Sequence, residues 1–356
     1  MSNISTAAFA AANSGYGFRS FYEQIFNDSG IKKRYIIKGG PGTGKSSFMK
    51  TIGKKQEECG RTVEYYLCSS DPDSVDGIVI DGKIAMMDGT APHTVDTEIA
   101  GARDEMIDLL RCCDTTSLEG RVEEIKALSK KKSLCYKRAY GYLSMMLRGS
   151  EMREGIVLSS LLSDKIKCAA ENTVLRFPQG EGFFQKVALR SSFGMKGRVI
   201  LDLYEKRAKR IYVVNDSYSL GYKYLEAVVN AAKKKKQPIT VSYSYLDPNR
   251  LDAVLFDNTG DCFIVLDASD EKIPYGIYKT VNTKRFLNIS ELNTEKKHEY
   301  KAMLRIETEI SSLAEKNLLR AGEYHFALEK IYVPCMNFEM LMTEADKISE
   351  RISKSL

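Results

Sequence analysis

The residues best suited to chemistry form one short run, Gly39-Gly40-Pro41-Gly42-Thr43-Gly44-Lys45-Ser46, followed by Ser47. The run fits the pattern G-x-x-x-x-G-K-[ST] in full. Glycines give such a loop backbone angles closed to other residues and let it approach oxygen atoms closely. The loop amides then turn inward as an anion nest, and the helix that follows adds the positive end of its dipole. In this arrangement Lys45 reaches the β- and γ-phosphates of a nucleoside triphosphate and Ser46 binds magnesium. The expected cofactors are ATP or GTP with Mg2+, held by Gly39 to Ser47.

A partner carboxylate normally stands at the end of a buried strand and holds magnesium directly or through water. Ile84-Ala-Met-Met-Asp88 supplies it, although Asp-Gly is also ordinary turn chemistry. Gly89 follows, where many water-activating ATPases carry glutamate. Fast hydrolysis therefore needs another base, and Asp71 or Asp73 is the candidate; otherwise the phosphoryl group passes to a second substrate. Asp71, Asp73 and Asp76 also suit turn formation and helix capping. His93, in Gly-Thr-Ala-Pro-His, is placed either to sense the γ-phosphate or as an ordinary loop histidine. A transition-state arginine is expected among Arg103, Arg111, Arg148 and Arg153, and the sequence does not choose.

These residues need strands and a helix to position them. Arg34 to Lys38 reads as a strand, Ser46 to Glu58 as a helix ended by Gly60, Thr62 to Cys68 as a second strand, and Lys83 to Met87 as a third. That order is the opening of an α/β domain with a parallel sheet. Helical spacing follows from about Ser117 to Leu147 and from about Met152 to Ala170. Gly149-Ser150 lies between, which predicts an antiparallel helical hairpin.

The second half repeats the order. Arg210 to Val214 matches the first strand, and Ile239 to Ser244 the second. Asp247-Pro-Asn-Arg-Leu-Asp252 matches Asp71-Pro-Asp-Ser-Val-Asp76, and Cys262 to Asp267 matches Lys83 to Asp88. The expected organisation is an internal duplication: a phosphate-loop domain over residues 1–185 with a helical hairpin at about 117–172, and a degenerate copy over 186–356 with a hairpin at about 294–353. In the copy, Asp216-Ser-Tyr-Ser-Leu-Gly-Tyr-Lys223 occupies the place of the loop. Tyr222 stands where Lys45 does and Asp216 where the first glycine does, so a pseudo-domain without nucleotide is predicted.

The segments 35–47, 68–77 and 87–93 together resemble a bacterial family of duplicated P-loop proteins, usually described as ATPases or nucleotide kinases. The resemblance covers nearly the whole chain. It implies a duplicated P-loop NTPase fold with helical insertions, with Gly39 to Ser47 and Asp88 as nucleotide and magnesium residues. Asp71, Asp73, Asp76 and His93 become signature positions without an assigned role. Members of that family keep a second phosphate loop; this chain does not.

Composition narrows the classes further. The chain has 356 residues, 43% of them hydrophobic and 28% charged, an ordinary globular balance. No run approaches the length of a membrane span, and residues 1–17 lack the character of a signal peptide, so a cytoplasmic location is expected. The eight cysteines form no C-x-x-C pair. A net charge of +6, much of it in Lys130–Lys132 and Lys233–Lys236, is read as solvated helix surface rather than as a nucleic-acid interface. The functions that remain are an ATPase coupled to movement of its helices against an unidentified protein partner, a nucleotide or small-molecule kinase, and a nucleotide-responsive binding module with little turnover.

Overall fold

The computed structural model describes residues 6–267 and 274–356; the first five residues of the N-terminal stretch lie outside them. The first half comprises β1 (Thr6–Phe9), the hairpin β2 (Ala11–Ser14) and β3 (Gly17–Ser20), α1 (Tyr22–Phe26), β4 (Lys33–Lys38), α2 (Lys45–Glu58), β5 (Val63–Leu67), β6 (Val75–Ile80), β7 (Ile84–Asp88) and β8 (Asp104–Asp108). Three helices close it: the short α3 (Thr116–Glu119), the long α4 (Val122–Leu158) and α5 (Ser163–Val174). The second half returns the same order of elements, without a counterpart of the short α3. They are β9 (Gln185–Val187), β10 (Ser191–Gly194), β11 (Gly197–Ile200), α6 (Leu203–Arg207), β12 (Arg210–Asp216), α7 (Gly221–Lys234), β13 (Ile239–Tyr243), β14 (Leu251–Phe256), β15 (Asp261–Asp267), β16 (Ile277–Asn282), α8 (Thr294–Tyr332) and α9 (Phe338–Ser355).

Each half builds a six-stranded sheet, ordered β1-β5-β6-β7-β4-β8 in the first and β9-β13-β14-β15-β12-β16 in the second. The protein is therefore an α/β fold with a duplicated topology. The expected parallel sheet is corrected to a mixed one: β4 lies parallel to β7 and β8, but β6 runs antiparallel to both β5 and β7. The cause is the tight turn at Asp81-Gly82, both with positive φ (49° and 65°), which folds β6 back onto β7 as a hairpin. The sequence reading passed over Val75–Ile80 because the polar stretch before it hid the strand. Arg34 fastens β4 to β8 by a fully buried fork onto Asp104, at 2.8 and 2.7 Å, and its guanidinium holds that carboxyl well below the usual carboxylate range.

The first helical hairpin is also corrected, whereas the pair expected over about 294–353 is present as α8 and α9, the latter packed on α2. The helix runs straight through Gly149-Ser150: α4 is continuous for 37 residues and α8 for 39. A glycine inside a helix costs only about 1 kcal/mol relative to alanine. The buried stripe Leu143, Met146, Leu147, Ser150, Arg153 and Val157 carries on across it. Gly149 instead serves as a point of close approach, since a Cβ there would fall 2.9 Å from Glu307 Oε1 of α8. The long helices pair with each other across the halves, and the last helix of each half crosses over: α5 packs on α7, and α9 on α2. α2 and α9 together cover one face of the first sheet, with Ile52, Leu341, Ile348 and Ile352 against Ile37, Ile78 and Met86. The opposite face shares one core with the second half, in which Phe9, Phe26 and Tyr66 join Val187, Leu189 and Tyr204. A backbone bridge between Phe9 and Leu189 ties the two halves together there.

Candidate functional site

The six residues Gly39–Gly44 join β4 to α2 at the carboxyl end of the parallel strands. The buried Thr43 hydroxyl donates to Gly40 O at 2.9 Å and closes the loop on itself. Gly44 caps α2 with φ +85°, a left-handed conformation that admits glycine without strain. Lys45, the first residue of α2, turns back under the loop, and its Nζ donates to Gly39 O at 3.0 Å and Gly40 O at 2.9 Å. The same ammonium stands 3.6 Å from Asp88 Oδ2, with both side chains mostly shielded from solvent. The loop, Lys45 and Asp88 are thus brought together. Pro41 and Ser47 belong to the same turn and first helical turn, Ser47 with its side chain exposed.

Asp88 ends β7 with Oδ1 accepting the Thr90 N–H and hydroxyl, at 2.8 and 2.6 Å, which leaves Oδ2 toward Lys45. Ser46 Oγ accepts the Val75 N–H at 2.9 Å and retains a lone pair. One hydroxyl and one carboxylate are the oxygen donors magnesium takes when phosphates and water fill its other positions. Among the described residues no group of three or more His, Cys, Asp or Glu could hold a metal alone. Ser46 and Asp88 therefore fit a magnesium ion that arrives with its nucleotide.

The other carboxylates lie elsewhere. Asp71 works inside its own turn: Oδ1 accepts the Asp73 N–H at 3.2 Å and Oδ2 the Ser74 hydroxyl at 2.9 Å. Asp73 is exposed and paired with Lys196. Asp76 is buried, with Oδ2 3.1 Å from His93 Nε2. His93 stacks on Tyr22 at 4.6 Å and meets Phe18 edge-on at 4.9 Å. Its Nδ1 is buried without a hydrogen-bond partner among the described residues. His93 belongs to this packed slot rather than to the loop. Of the four arginines, Arg103 serves Asp104, Glu98 and Asn27, Arg148 an exposed bridge to Glu151, and Arg111 is exposed. Arg153 lies against the second half's loop.

The long helix α8 overlies the loop, α4 lies beside α8, and here the sequence reading missed residues. α8 contributes Tyr332, whose ring would meet a Cβ on Gly40 at 2.8 Å, and Glu329, whose backbone would meet one on Gly42 at 3.0 Å. α4 contributes a face with Lys132, Tyr136 and Tyr140, spaced one turn apart. Tyr136 OH donates to Ser70 Oγ and Tyr140 OH to Asn13 Oδ1, each at 3.0 Å. Burial pushes the Tyr136 phenol up to about 12, with Asp76 and Asp71 adding to the effect. Lys132, read as part of a solvated run, is half-buried, whereas Lys130 and Lys131 are exposed. The available signal was the tyrosine repeat at i+4 and i+8 from Lys132, which marks an inward face. The second lysine run is terminal as expected, with Lys233 and Lys234 in the last turn of α7.

The second half's loop is shorter, four residues between β12 and α7. Asp216 fills its cradle. Oδ1 accepts the Leu220 N–H at 2.9 Å and Oδ2 the Gly221 N–H at 2.7 Å, at the start of α7. Burial raises the Asp216 carboxyl above its ordinary value, and the N–H groups oppose that rise. Arg153 closes the site, forked onto Glu307 at 2.6 and 2.7 Å and donating to Tyr300 OH and Ser219 Oγ.

Comparison with protein-family profiles, with curated protein sequences and with solved structures gives no match for this chain. No helix among the described residues is long and apolar enough to cross a membrane.

Proposed function

We propose that the protein is a P-loop NTPase that binds a magnesium nucleoside triphosphate at Gly39–Ser47 and hydrolyses it, with ATP or GTP as substrate. The observation that carries this reading is the placement of Lys45 under a six-residue glycine loop at the amino end of α2, beside Asp88. The loop's N–H groups and the α2 dipole hold the β-phosphate, and Lys45 leaves the Gly39 and Gly40 carbonyls for phosphate oxygens. Ser46 and Asp88 hold the magnesium, which neutralises charge on the transferring group. Tyr332 and Glu329 lie on the loop's outer side, so a loop that swells around phosphate pushes on α8. This is the link to movement of the helices. Replacing Lys45 by alanine should lower affinity and turnover by about 100-fold or more; a variant with the wild-type rate refutes the site.

One observation favours phosphotransfer as the second reading. Gly89 follows Asp88, Asp73 is turned out to Lys196, and Asp71 is spent in its own turn. None of these carboxylates is free to activate water. Incubation with ATP and a panel of nucleotide and sugar acceptors separates the readings: steady phosphate release without acceptor supports hydrolysis, and acceptor-dependent consumption supports a kinase.

A further inference from the structure

We propose that Lys132, carried by α4 and not by the phosphate loop, is a second phosphate-binding cation of this site and contacts the terminal phosphate of the bound triphosphate. The inference rests on the nucleotide reading above and names a residue that the loop motif does not contain.

The placement follows from the helix face. Tyr136, one turn beyond Lys132, is pinned to Ser70, and Tyr140, a further turn on, to Asn13. These bonds hold α4 at the carboxyl end of β5, and α4 pairs along α8, whose Glu329 backbone lies against Gly42; Lys132 is close enough to Lys45 and Glu329 to feel both charges. Lys132 is half-buried and has no hydrogen bond or ion pair among the described residues. Burial and the nearby Lys45 both disfavour its charge, and Glu329 opposes them only in part. Glu329 itself is turned to His325, 3.4 Å away. Lys45 has Asp88 at 3.6 Å, whereas Lys132 has no carboxylate within ion-pair distance among the described residues and shares Glu329 with Lys45 only at longer range; a polyanion bound at the loop supplies the missing partner. The loop amides and the α2 dipole surround the phosphate that they hold. A cation carried by a separate helix, outside the loop, is therefore left to meet the outermost group. Arg153, the cation of the same helix at the second loop, is consumed by Glu307.

The test compares Mg-ATP and Mg-ADP affinity for the full chain, wild type, Lys132→Gln, Lys132→Arg and Lys45→Ala, by titration calorimetry. Lys132→Gln should lose about tenfold in affinity for ATP with ADP changed less than twofold, the loss of one charge-assisted hydrogen bond to the terminal phosphate. Lys132→Arg should retain most of the preference for ATP. Thermal unfolding of Lys132→Gln should occur at or above the wild-type temperature, since the fold disfavours that charge, which separates a ligand role from a structural one. An unchanged ATP-to-ADP ratio in Lys132→Gln overturns the role of Lys132 while leaving the loop assignment standing. Absence of saturable binding by the wild type, or wild-type affinity in Lys45→Ala, overturns the nucleotide reading and this inference with it.

Discussion

The two loops answer the same electrostatic problem in opposite ways. Each lies between a strand paired on both sides and a fourteen-residue helix, with α8 against it. At the second, the anion is supplied by the chain: Asp216 accepts the N–H groups at the start of α7, and Arg153 is matched by Glu307. At the first, a glycine stretch leaves the cradle without a side-chain anion, and Lys45 leans on carbonyl oxygens and one shared carboxylate. One half has internalised its anion. The other leaves its loop amides without one, which suits the polyphosphate proposed for it.

The contrast can be broken most severely in the second half. Glu307→Ala leaves Arg153 buried beside Tyr300 and Ser219 without its carboxylate, and should cost about 3–5 kcal/mol in chemical denaturation. A loss as small as that of a surface pair would mean that the second site is not internally neutralised.

Asp216 gives a smaller effect. Asp216→Ala strands the Leu220 and Gly221 N–H groups and should cost about 1–2 kcal/mol. Added sulfate should then raise the variant's unfolding temperature more than the wild type's, because the vacated cradle accepts an anion. The sign of the pH effect is fixed by burial, which places the folded carboxyl above its unfolded value. Relative to Asp216→Asn, wild-type stability should therefore be greatest at acid pH, fall as pH rises from the ordinary carboxylate value through the folded one, and level off beyond it. A rising difference over that range would contradict the assignment.

The smallest effect concerns what the halves share. Asp71 and Asp247 make the same turn. Ser74 N–H donates to Asp71 O and Arg250 N–H to Asp247 O, each at 2.9 Å, and each aspartate side chain accepts an N–H two residues on. Asp71→Ala and Asp247→Ala should each cost about 1 kcal/mol, and Asp71→Asn should retain turnover. A large loss of activity in Asp71→Asn alone would return Asp71 to the catalytic set.

These residues also show how much the sequence disclosed. The loop, the strand and helix that flank it, Asp88 and the duplication were legible because each is local, written in spacing and composition. The turn at Asp71 was legible for a subtler reason, since its recurrence at Asp247 in a loop without a phosphate motif pointed to structure. What stayed hidden depends on long-range partners. β6 looked like the end of a polar stretch until its pairing with β5 and β7 was known. Gly149 looked like a break because Glu307, the residue it accommodates, lies in the other half. Lys132 looked solvated because it was read with its neighbours Lys130 and Lys131 and not with Tyr136 and Tyr140 on the inward face, and the open choice between chemistry and local structure at Asp73 and His93 turns on their distant partners Lys196 and Asp76.

The crossing of α5 onto α7 and α9 onto α2 bears on how the molecule comes into being. As the chain leaves the ribosome, the helix behind the glycine loop emerges before the whole second sheet, but Leu341, Ile348 and Ile352, which cover it, emerge after that sheet and α8. A nascent first half therefore carries a bare apolar flank until α9 is made and is exposed to aggregation during that interval. For the same reason, severing the connection between α5 and β9 should yield two fragments that are insoluble when made singly and soluble as a complex when made together.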